Sequence, residues 1–393
     1  MHMALFIKDF AVGKEFSKDG LPTKSGAEFH GENHAKQLIQ RGNSVTIMAK
    51  KRYWFTKARE NLDGIDLVRL HEPARWFEIF IRLFTTHRDI DAFYIIGTPK
   101  FAVWAVLYAK LMHKPVTLAL TGKAEIFDGN ANWRNRILSQ CTNYIATTHE
   151  IRQGFMEKGG VPEVKISVLA HGIDTTRYPI TNPGIKKTLR QENNIPADAH
   201  VLLFCARVVL NKGIDTLIHM WPIIRAKDPK SFLIVAGGGK HELIRALRKL
   251  GQENGNSVRV LGEVHNTSDY YRLSDVYVFP SRHEGLPTSL LEAMSSGLPA
   301  VTSDIGGCDD LIFNDKTGYR VDSESADVFA EKVLYLFENE QERETMGQRA
   351  SKLVKDMCDY TVVVPHLEAI IKSTSSEGKD YLRHEEYGLW QSR

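Results

Sequence analysis

At 393 residues the chain is too long for one ordinary core and fits two domains of about 150–200 residues each. With 42% hydrophobic and 25% charged residues it has the composition of a soluble globular protein, and no apolar run reaches the ~18–20 residues needed to span a bilayer. The formal net charge of +3 gives no ground for a nucleic-acid partner; it conceals a basic N-terminal half, since residues 1–180 hold 25 Lys and Arg against 18 Asp and Glu and the remainder 26 against 30.

The N-terminus lacks the h-region of a secretory signal, which argues against an integral membrane protein. Short apolar runs then alternate with helical patterns: Leu5-Phe6-Ile7, Val45-Thr46-Ile47-Met48, Phe93-Tyr94-Ile95-Ile96, Val116-Thr117-Leu118, Tyr144-Ile145-Ala146 and Ile166-Ser167-Val168-Leu169. That alternation predicts an α/β domain with a doubly wound parallel sheet. Between the first run and the first long helix, which Ser25-Gly26-Ala27-Glu28 opens, the loop from Ala11 to Ser25 carries Gly13 and Gly20, which permit close approach of backbone to a ligand. His30 and His34 stand at i and i+4 as zinc ligands can, but the zincin arrangement needs Glu directly after the first His and here it follows one residue later, at Glu32. Residues Lys50 to Arg59 and Arg75 to Phe84 mix cations with large aromatics. Trp76, Phe80, Leu83 and Phe84 form one helix face, and such a face either packs into a core or lies on an anionic membrane; both readings stay open. Asp89-Ile90-Asp91, an acidic pair without supporting context, reads as a turn cap.

The stretch from Asp174 to Ala199 bears Pro, Thr and Asn and lacks a sustained apolar period, which makes it the expected boundary. The division is then residues 1–174, 175–360, and a C-terminal helix and tail at 361–393. The βα pattern restarts at Val201-Leu202-Leu203-Phe204-Cys205 and continues through Phe232-Leu233-Ile234-Val235, Val258-Arg259-Val260-Leu261 and Val276-Tyr277-Val278-Phe279, so a second domain of the same kind follows. Arg207 and Lys212 leave the first of these strand ends together, and ligands collect outside the carboxyl ends of parallel strands. Gly237-Gly238-Gly239 is no dinucleotide fingerprint, because the third glycine spacing and the ribose-binding acid are missing. After Phe279 the breakers Gly285 and Pro287 flank Leu286, and a helix is expected from Thr288, with Ser289 and Glu292 spaced as a capping box and Gly297 closing it. The N-terminus of that helix is a seat for a diphosphate. A carboxylate just before it, Glu284, suits the hydroxyls of an attached sugar, and Glu292 suits the two ribose hydroxyls, since ionised carboxylates only accept hydrogen bonds. The four cysteines, Cys141, Cys205, Cys308 and Cys358, have no metal-like spacing and imply a reducing, cytoplasmic compartment. The tail from Ser373 is polar and is expected to be only partly ordered.

This ordered set of residues resembles the retaining glycosyltransferases of the GT-B fold, family 4 (group 1) type, over most of the chain. The resemblance rests on Gly26 with its neighbours, Ala170-His171-Gly172-Ile173-Asp174, Arg207 with Lys212, Val235 to Gly239, Glu284 and Glu292 eight residues apart, and Asp304-Ile305-Gly306-Gly307. It implies two Rossmann-like domains facing across a cleft, an N-terminal acceptor domain whose Ala11–Ser25 loop lies over the cleft, and a last helix crossing back to the first domain. It implies transfer of a hexosyl unit from a nucleotide diphosphate sugar, a UDP-sugar being favoured, to an acceptor hydroxyl with retention and without a metal or other cofactor. Glu284 would contact the transferred sugar and Glu292 the ribose, while Arg207 and Lys212 neutralise the departing diphosphate. Gly285, Leu286, Thr288, Ser289, Gly26 and Leu261 would line the nucleotide, and domain closure would exclude water. Where many family members carry a histidine near the reacting carbon, this chain reads Leu118-Ala119-Leu120-Thr121-Gly122-Lys123, so Thr121 or Lys123, with His171, are the acceptor-side candidates. The acceptor would be a cell-envelope polysaccharide, a glycolipid or a small molecule, with possible peripheral contact at the inner face of an anionic membrane. A nucleotide-sugar epimerase on the same fold, a glycan phosphorylase, for which no pyridoxal-binding lysine environment is evident, and a nucleotide-sugar binder without transferase activity are the alternatives.

Overall fold

The structure is a computed structural model in which residues 1–10, 26–50, 57–70, 75–122, 132–375 and 377–382 are described. The Ala11–Ser25 loop, Lys123 and residues 51–56 of the first basic aromatic segment lie outside the described residues. The chain divides into two compact units, Met1–Gly172 with Tyr360–Arg393, and Ile173–Asp359.

The first unit runs β1 (His2–Asp9), α1 (Gly26–Gln40), β2 (Ser44–Lys50), β3 (Arg59–Leu62), β4 (Ile65–Leu70), α2 (Arg75–Phe84), β5 (Ala92–Ile96), α3 (Val103–Leu111), β6 (Val116–Leu120), α4 (Trp133–Leu138), β7 (Asn143–Ala146), α5 (His149–Glu157) and β8 (Ile166–Val168). The second runs α6 (Pro183–Glu192), β9 (His200–Cys205), α7 (Ile214–Lys227), β10 (Ser231–Ala236), α8 (His241–Glu253), β11 (Val258–Gly262), α9 (Ser268–Leu273), β12 (Val276–Phe279), α10 (Thr288–Ser295), β13 (Ala300–Ser303), α11 (Gly306–Asp309), β14 (Gly318–Val321), α12 (Ala326–Glu338) and α13 (Glu340–Cys358). Then α14 (Tyr360–Lys372) returns to the first unit.

Strand order in the first sheet is β3-β4-β2-β1-β5-β6-β7-β8, parallel throughout except for the edge strand β3, which pairs antiparallel with β4. The second is β11-β10-β9-β12-β13-β14, all parallel. Each central strand is apolar because helices cover both faces of a parallel sheet; β9 and β12 are buried from Val201 and Val276 onward. In each sheet the chain winds outward from one strand, then restarts on that strand's other side, at β1/β5 and at β9/β12. Such a reversal opens a crevice at the carboxyl ends of the two strands.

Four details depart from the sequence reading. The Asp174–Ala199 stretch holds α6, capped by Asn182, whose side chain accepts from the Ile185 amide at 2.9 Å. That helix buries Arg190 against Asp275 at 2.6 Å instead of an apolar stripe, so no hydrophobic period announces it. Residues Gly378 to Tyr381 hydrogen-bond to Val164 and Val168 along the free edge of β8, with Val168 donating to the Lys379 carbonyl at 2.9 Å, so the segment Gly378–Tyr381 is held against the sheet. Asp89 and Asp91 reach across the sheet instead: both bind His2, each at 2.8 Å, and so tie down the start of β1. Finally, α2 splits its face: Ile79 and Leu83 are buried, whereas Phe80, Ile81 and Phe84 are exposed; the Trp76 side chain is outside what is described. No helix among the described residues is long and apolar enough to cross a membrane.

The return of α14 is held by specific polar contacts within the first unit. Glu368 accepts from Arg41 Nε at 2.5 Å and from Asn43 Nδ2 at 2.9 Å, and Asn143 Nδ2 donates to the Ile370 carbonyl at 2.9 Å.

Candidate donor site at the β9/β12 strand ends

The turn that follows β9 is a single 3-10 turn, Leu210–Lys212, closed by Gly213 in the left-handed region at φ 71°. A Cβ at Gly213 would lie 1.9 Å from the Pro280 carbonyl oxygen, so only glycine lets this turn press against the loop leaving β12. The loop is locked there by the Arg282 amide donating to Asn211 O at 3.0 Å and by Arg282 pairing with Asp215 at 2.7 Å in the first turn of α7. A second close approach sits on its other side. A Cβ on Gly307 of α11 would come within 1.5 Å of the Gly285 carbonyl oxygen, which explains the second glycine of the Asp304–Gly307 motif sterically.

These backbone contacts bring Lys212 and Glu284 together. Lys212 Nζ is ion-paired to Glu284 Oε1, their side chains being only 15% and 12% exposed, and Ser281 Oγ donates to the same oxygen at 2.7 Å. Arg207 leaves the same strand, but its side chain is exposed and makes no ion pair among the described residues. Its backbone lies against the glycine run, with Val208 donating to Gly238 O at 2.9 Å and no room for a Cβ at Gly237 or Gly239.

The helix α10 starts at Thr288, as expected, yet the capping box is not made. Its N-cap residue is Pro287, which has no side-chain acceptor. Ser289 Oγ instead accepts from Tyr277 OH at 2.8 Å. Glu292 accepts from Tyr178 OH at 2.8 Å and from Tyr271 OH at 2.9 Å, one on each oxygen. Burial pushes the Glu292 carboxyl up from its ordinary value, and the two tyrosine hydroxyls and Arg177 pull it back. Gly285 and Leu286 stand between the carboxylates, Leu286 buried, and Leu261 is half-buried near the end of β11. Chemically this is a half-buried cation–carboxylate pair beside a helix N-terminus without a side-chain cap, and a second carboxylate one turn into the helix. Such a set suits an anion flanked by hydroxyls.

The remaining candidates belong to the other unit. Gly26 begins α1, and Thr121 is half-buried just after β6. His171 is buried, its ring 3.6 Å from that of His30, and its carbonyl accepts from His34 Nε2 at 2.7 Å. The histidines of the would-be zinc motif therefore pack α1 against the end of the first unit's sheet. Ser281, Tyr178 and Tyr271 were not singled out from the sequence. Tyr178 lies 114 positions from Glu292, and no local pattern marks it.

A model of the family "Glycosyl transferases group 1" matches residues 185–353, and one of "Glycosyltransferase Family 4" matches residues 24–177. The capsular polysaccharide biosynthesis glycosyltransferase CapM of Staphylococcus aureus is 26% identical over 297 residues, covering 72% of this chain and 77% of that one. An N,N'-diacetylbacillosaminyl-diphospho-undecaprenol alpha-1,3-N-acetylgalactosaminyltransferase of Campylobacter jejuni is 29% identical over 206 residues, 52% of this chain and 55% of its own length. Among solved structures, Anabaena Alr3699/HepE in complex with UDP and glucose superposes with a TM-score of 0.74 at 18% identity, covering 94% of this chain and 99% of that one, which is a likeness of fold. With both halves of the chain matched in turn and two parallel-sheet α/β units in place, the chain belongs to the group 1, family 4 glycosyltransferases and has their GT-B fold.

Proposed function

We propose that the protein is a retaining hexosyltransferase that moves a sugar from a nucleotide diphosphate sugar, a UDP-sugar being favoured, to an acceptor hydroxyl in polysaccharide or glycolipid synthesis. The observation that carries this reading is the pairing of Lys212 with Glu284 across the adjacent ends of β9 and β12, beside the start of α10. Lys212, Arg207 and the first-turn amides of α10 meet the charge that grows on the diphosphate as the anomeric C–O bond breaks. Glu284 accepts from hydroxyls of the transferred sugar, and Glu292 from those of the ribose. The acceptor oxygen bonds to the anomeric carbon on the face the diphosphate leaves, and the acceptor proton passes to that diphosphate, so no protein nucleophile is required. Gly285, Leu286, Thr288, Ser289, Leu261 and Gly26 are assigned to the nucleotide, while Thr121, Lys123 and His171 are assigned to the acceptor. The names of the relatives support the acceptor class: one is a capsular polysaccharide enzyme, the other acts on a diphospho-undecaprenol.

A thermal-shift screen of UDP-, GDP- and ADP-sugars, followed by turnover with acceptor in the presence of EDTA, tests it. Stabilisation by one donor series, transfer undiminished by the chelator and an unchanged anomeric configuration by NMR are expected. Tight binding with no transfer to any acceptor would make the protein a binder, and an inverted product would refute retention.

We also place the enzyme at the inner face of a membrane. Phe80, Ile81 and Phe84 of α2 and Leu107, Leu111 and Met112 at α3 are exposed apolar side chains in the first unit, and Phe84 packs on Tyr108 with ring centroids 4.8 Å apart. Lys110, His113 and Lys114 lie at the same end of α3 and line a shared recess with Gln140 and Thr142. Apolar side chains beside cations suit an anionic lipid surface. Co-sedimentation with phosphatidylglycerol vesicles, lost in Phe80→Ser/Phe84→Ser and absent with phosphatidylcholine, is the expected result; equal partition without vesicles removes the assignment.

A further inference from the structure

Glu292 does not stand alone. Tyr271 projects from α9 and is fully buried, Tyr178 precedes α6 and is 8% exposed, and their rings meet edge-on with centroids 5.8 Å apart. Tyr271 continues to Tyr277 at 6.1 Å, whose hydroxyl reaches Ser289 at 2.8 Å. The three rings thus run beneath α10 and occupy both polar side chains that a capping box would have used. Burial raises the pKa of both phenols that touch Glu292, so each keeps its proton and can only donate in these contacts.

An ionised carboxylate offers about four acceptor positions, two on each oxygen. The tyrosines take one on each, at 2.8 and 2.9 Å, which among the described residues leaves one open on each oxygen. A vicinal pair of hydroxyls fills that remainder with one hydrogen bond each, as the 2'- and 3'-hydroxyls of a ribose do. A deoxyribose leaves a desolvated carboxylate oxygen short of a donor.

We propose that Tyr178 and Tyr271 are positioning residues that hold Glu292 in one orientation with one free acceptor site per oxygen, so that the pair sets the preference for ribonucleotide over deoxyribonucleotide donors. This rests on the reading of the second unit as a nucleotide-sugar site. It adds two residues and a selectivity to that reading.

The clamp has a second consequence. Burial favours a proton on Glu292, and the groups that face it, Tyr178 and Arg177 from the segment before α6 and Tyr271 from α9, oppose that by hydrogen bond or charge; Cys205 of β9 and Tyr277 of β12 lie within reach of its field as well. Protonated Glu292 loses an acceptor and presents a donor. Deleting a tyrosine hydroxyl favours the proton further, so nucleotide binding fails at a higher pH in the variants.

The test is calorimetric titration of the full-length protein with UDP, GDP and ADP and their 2'-deoxy counterparts, for the wild type, Tyr178→Phe, Tyr271→Phe and the double variant, between pH 5 and 8. Wild type is expected to prefer the ribonucleotide on the order of 10–100-fold, the value of one hydrogen bond to a charged group. The double variant should discriminate less than about threefold, with the acid midpoint of binding moved up in pH and an intermediate result for Tyr178→Phe, which at the partly exposed end of the ladder keeps the fold if Tyr271→Phe does not. Equal weakening of both nucleotides with an unmoved midpoint overturns the clamp as a positioning device. A wild type that binds UDP but ignores the 2'-hydroxyl overturns it while leaving the donor-site reading intact. Failure to bind any of the three nucleotides overturns both.

Discussion

Lys212→Met is expected to slow sugar transfer by about 10²–10³-fold, equivalent to ~3–4 kcal/mol of transition-state stabilisation, the loss measured in other enzymes when one preorganised donor to a developing oxyanion is removed. The reason is local. Lys212 sits at the end of a turn that Gly213 presses against Pro280, so its ammonium is placed before any ligand arrives and needs little reorganisation during reaction. In the structure that ammonium is balanced by Glu284, and Ser281 holds the same carboxylate oxygen at 2.7 Å. Removing the cation leaves a carboxylate at 12% exposure without its counter-charge, which would repel the proposed diphosphate in addition to withholding support from it. The measurement is single-turnover transfer at saturating donor, compared with Glu284→Gln, which keeps Lys212 but removes the charge that orients it. A Lys212→Met enzyme within tenfold of wild type would show that charge on the leaving group is compensated elsewhere, with Arg207 the first place to look.

Mild acid should destabilise the first unit. His30, His34 and His171 are all buried and lie within ring or hydrogen-bond contact of one another. Burial, aided by repulsion between the rings, holds His30 well below the usual imidazole range, while burial lowers His34 to about 4 and His171 to about 3. His34 donates from Nε2 to the His171 carbonyl and faces Tyr94 OH at 3.3 Å through Nδ1, so a second proton on the ring would break the latter contact if Tyr94 is its donor. Between pH 6.5 and about 4 the unfolded chain therefore binds more protons than the folded one, and stability falls as pH falls. Each histidine contributes up to ~1.4 kcal/mol per pH unit, so the three together give up to ~4, against a total of about 5–15 for a domain. His87 and His366, also lowered by burial, act in the same direction. Glu368, pushed down to about 2 by Lys372, Asn43 and Arg41 against its own burial, acts only below the ordinary carboxylate range, so the two windows separate. Calorimetric melting between pH 8 and 5 should show a steep fall below pH 6.5 that is shallower in His30→Gln. A melting temperature level from pH 7 to 5 would mean that the trio opens to water at little cost.

Much of the architecture was readable because a parallel sheet buried on both faces demands continuous apolar runs, and ten of the strands announce themselves that way, from Leu5-Phe6-Ile7 to Val276-Tyr277-Val278-Phe279. The strands that escaped are short or mixed in character. Arg59–Leu62 is an exposed edge with alternating burial, and Gly318–Val321 starts on a glycine and carries Arg320. The helix α6 escaped because its inward face is the aliphatic stem and guanidinium of Arg190, a residue that a hydrophobic period counts as solvent. At the candidate site, Glu284, Glu292, Arg207 and Lys212 stood out through motif and strand-end position. The spacing of Ser289 and Glu292 misled, since three positions in a first helical turn serve a capping box and a pair of outward contacts equally well.

The order of apolar runs, breakers and charged strand ends determined by itself that this chain builds two βα units and that its second half carries cations and carboxylates just after two particular strands. Those features are local, and the period of a strand or the stop imposed by a proline is written within a few residues. Which side chains meet was decided by the tertiary structure: Lys212 finds Glu284 across 72 positions because β9 and β12 are neighbours, and Tyr178 finds Glu292 across 114 because the chain before α6 folds back on α10. Hydrogen bonds and ion pairs act over a few ångströms of space, so a contact between distant positions leaves no local pattern in the sequence for either partner to reveal.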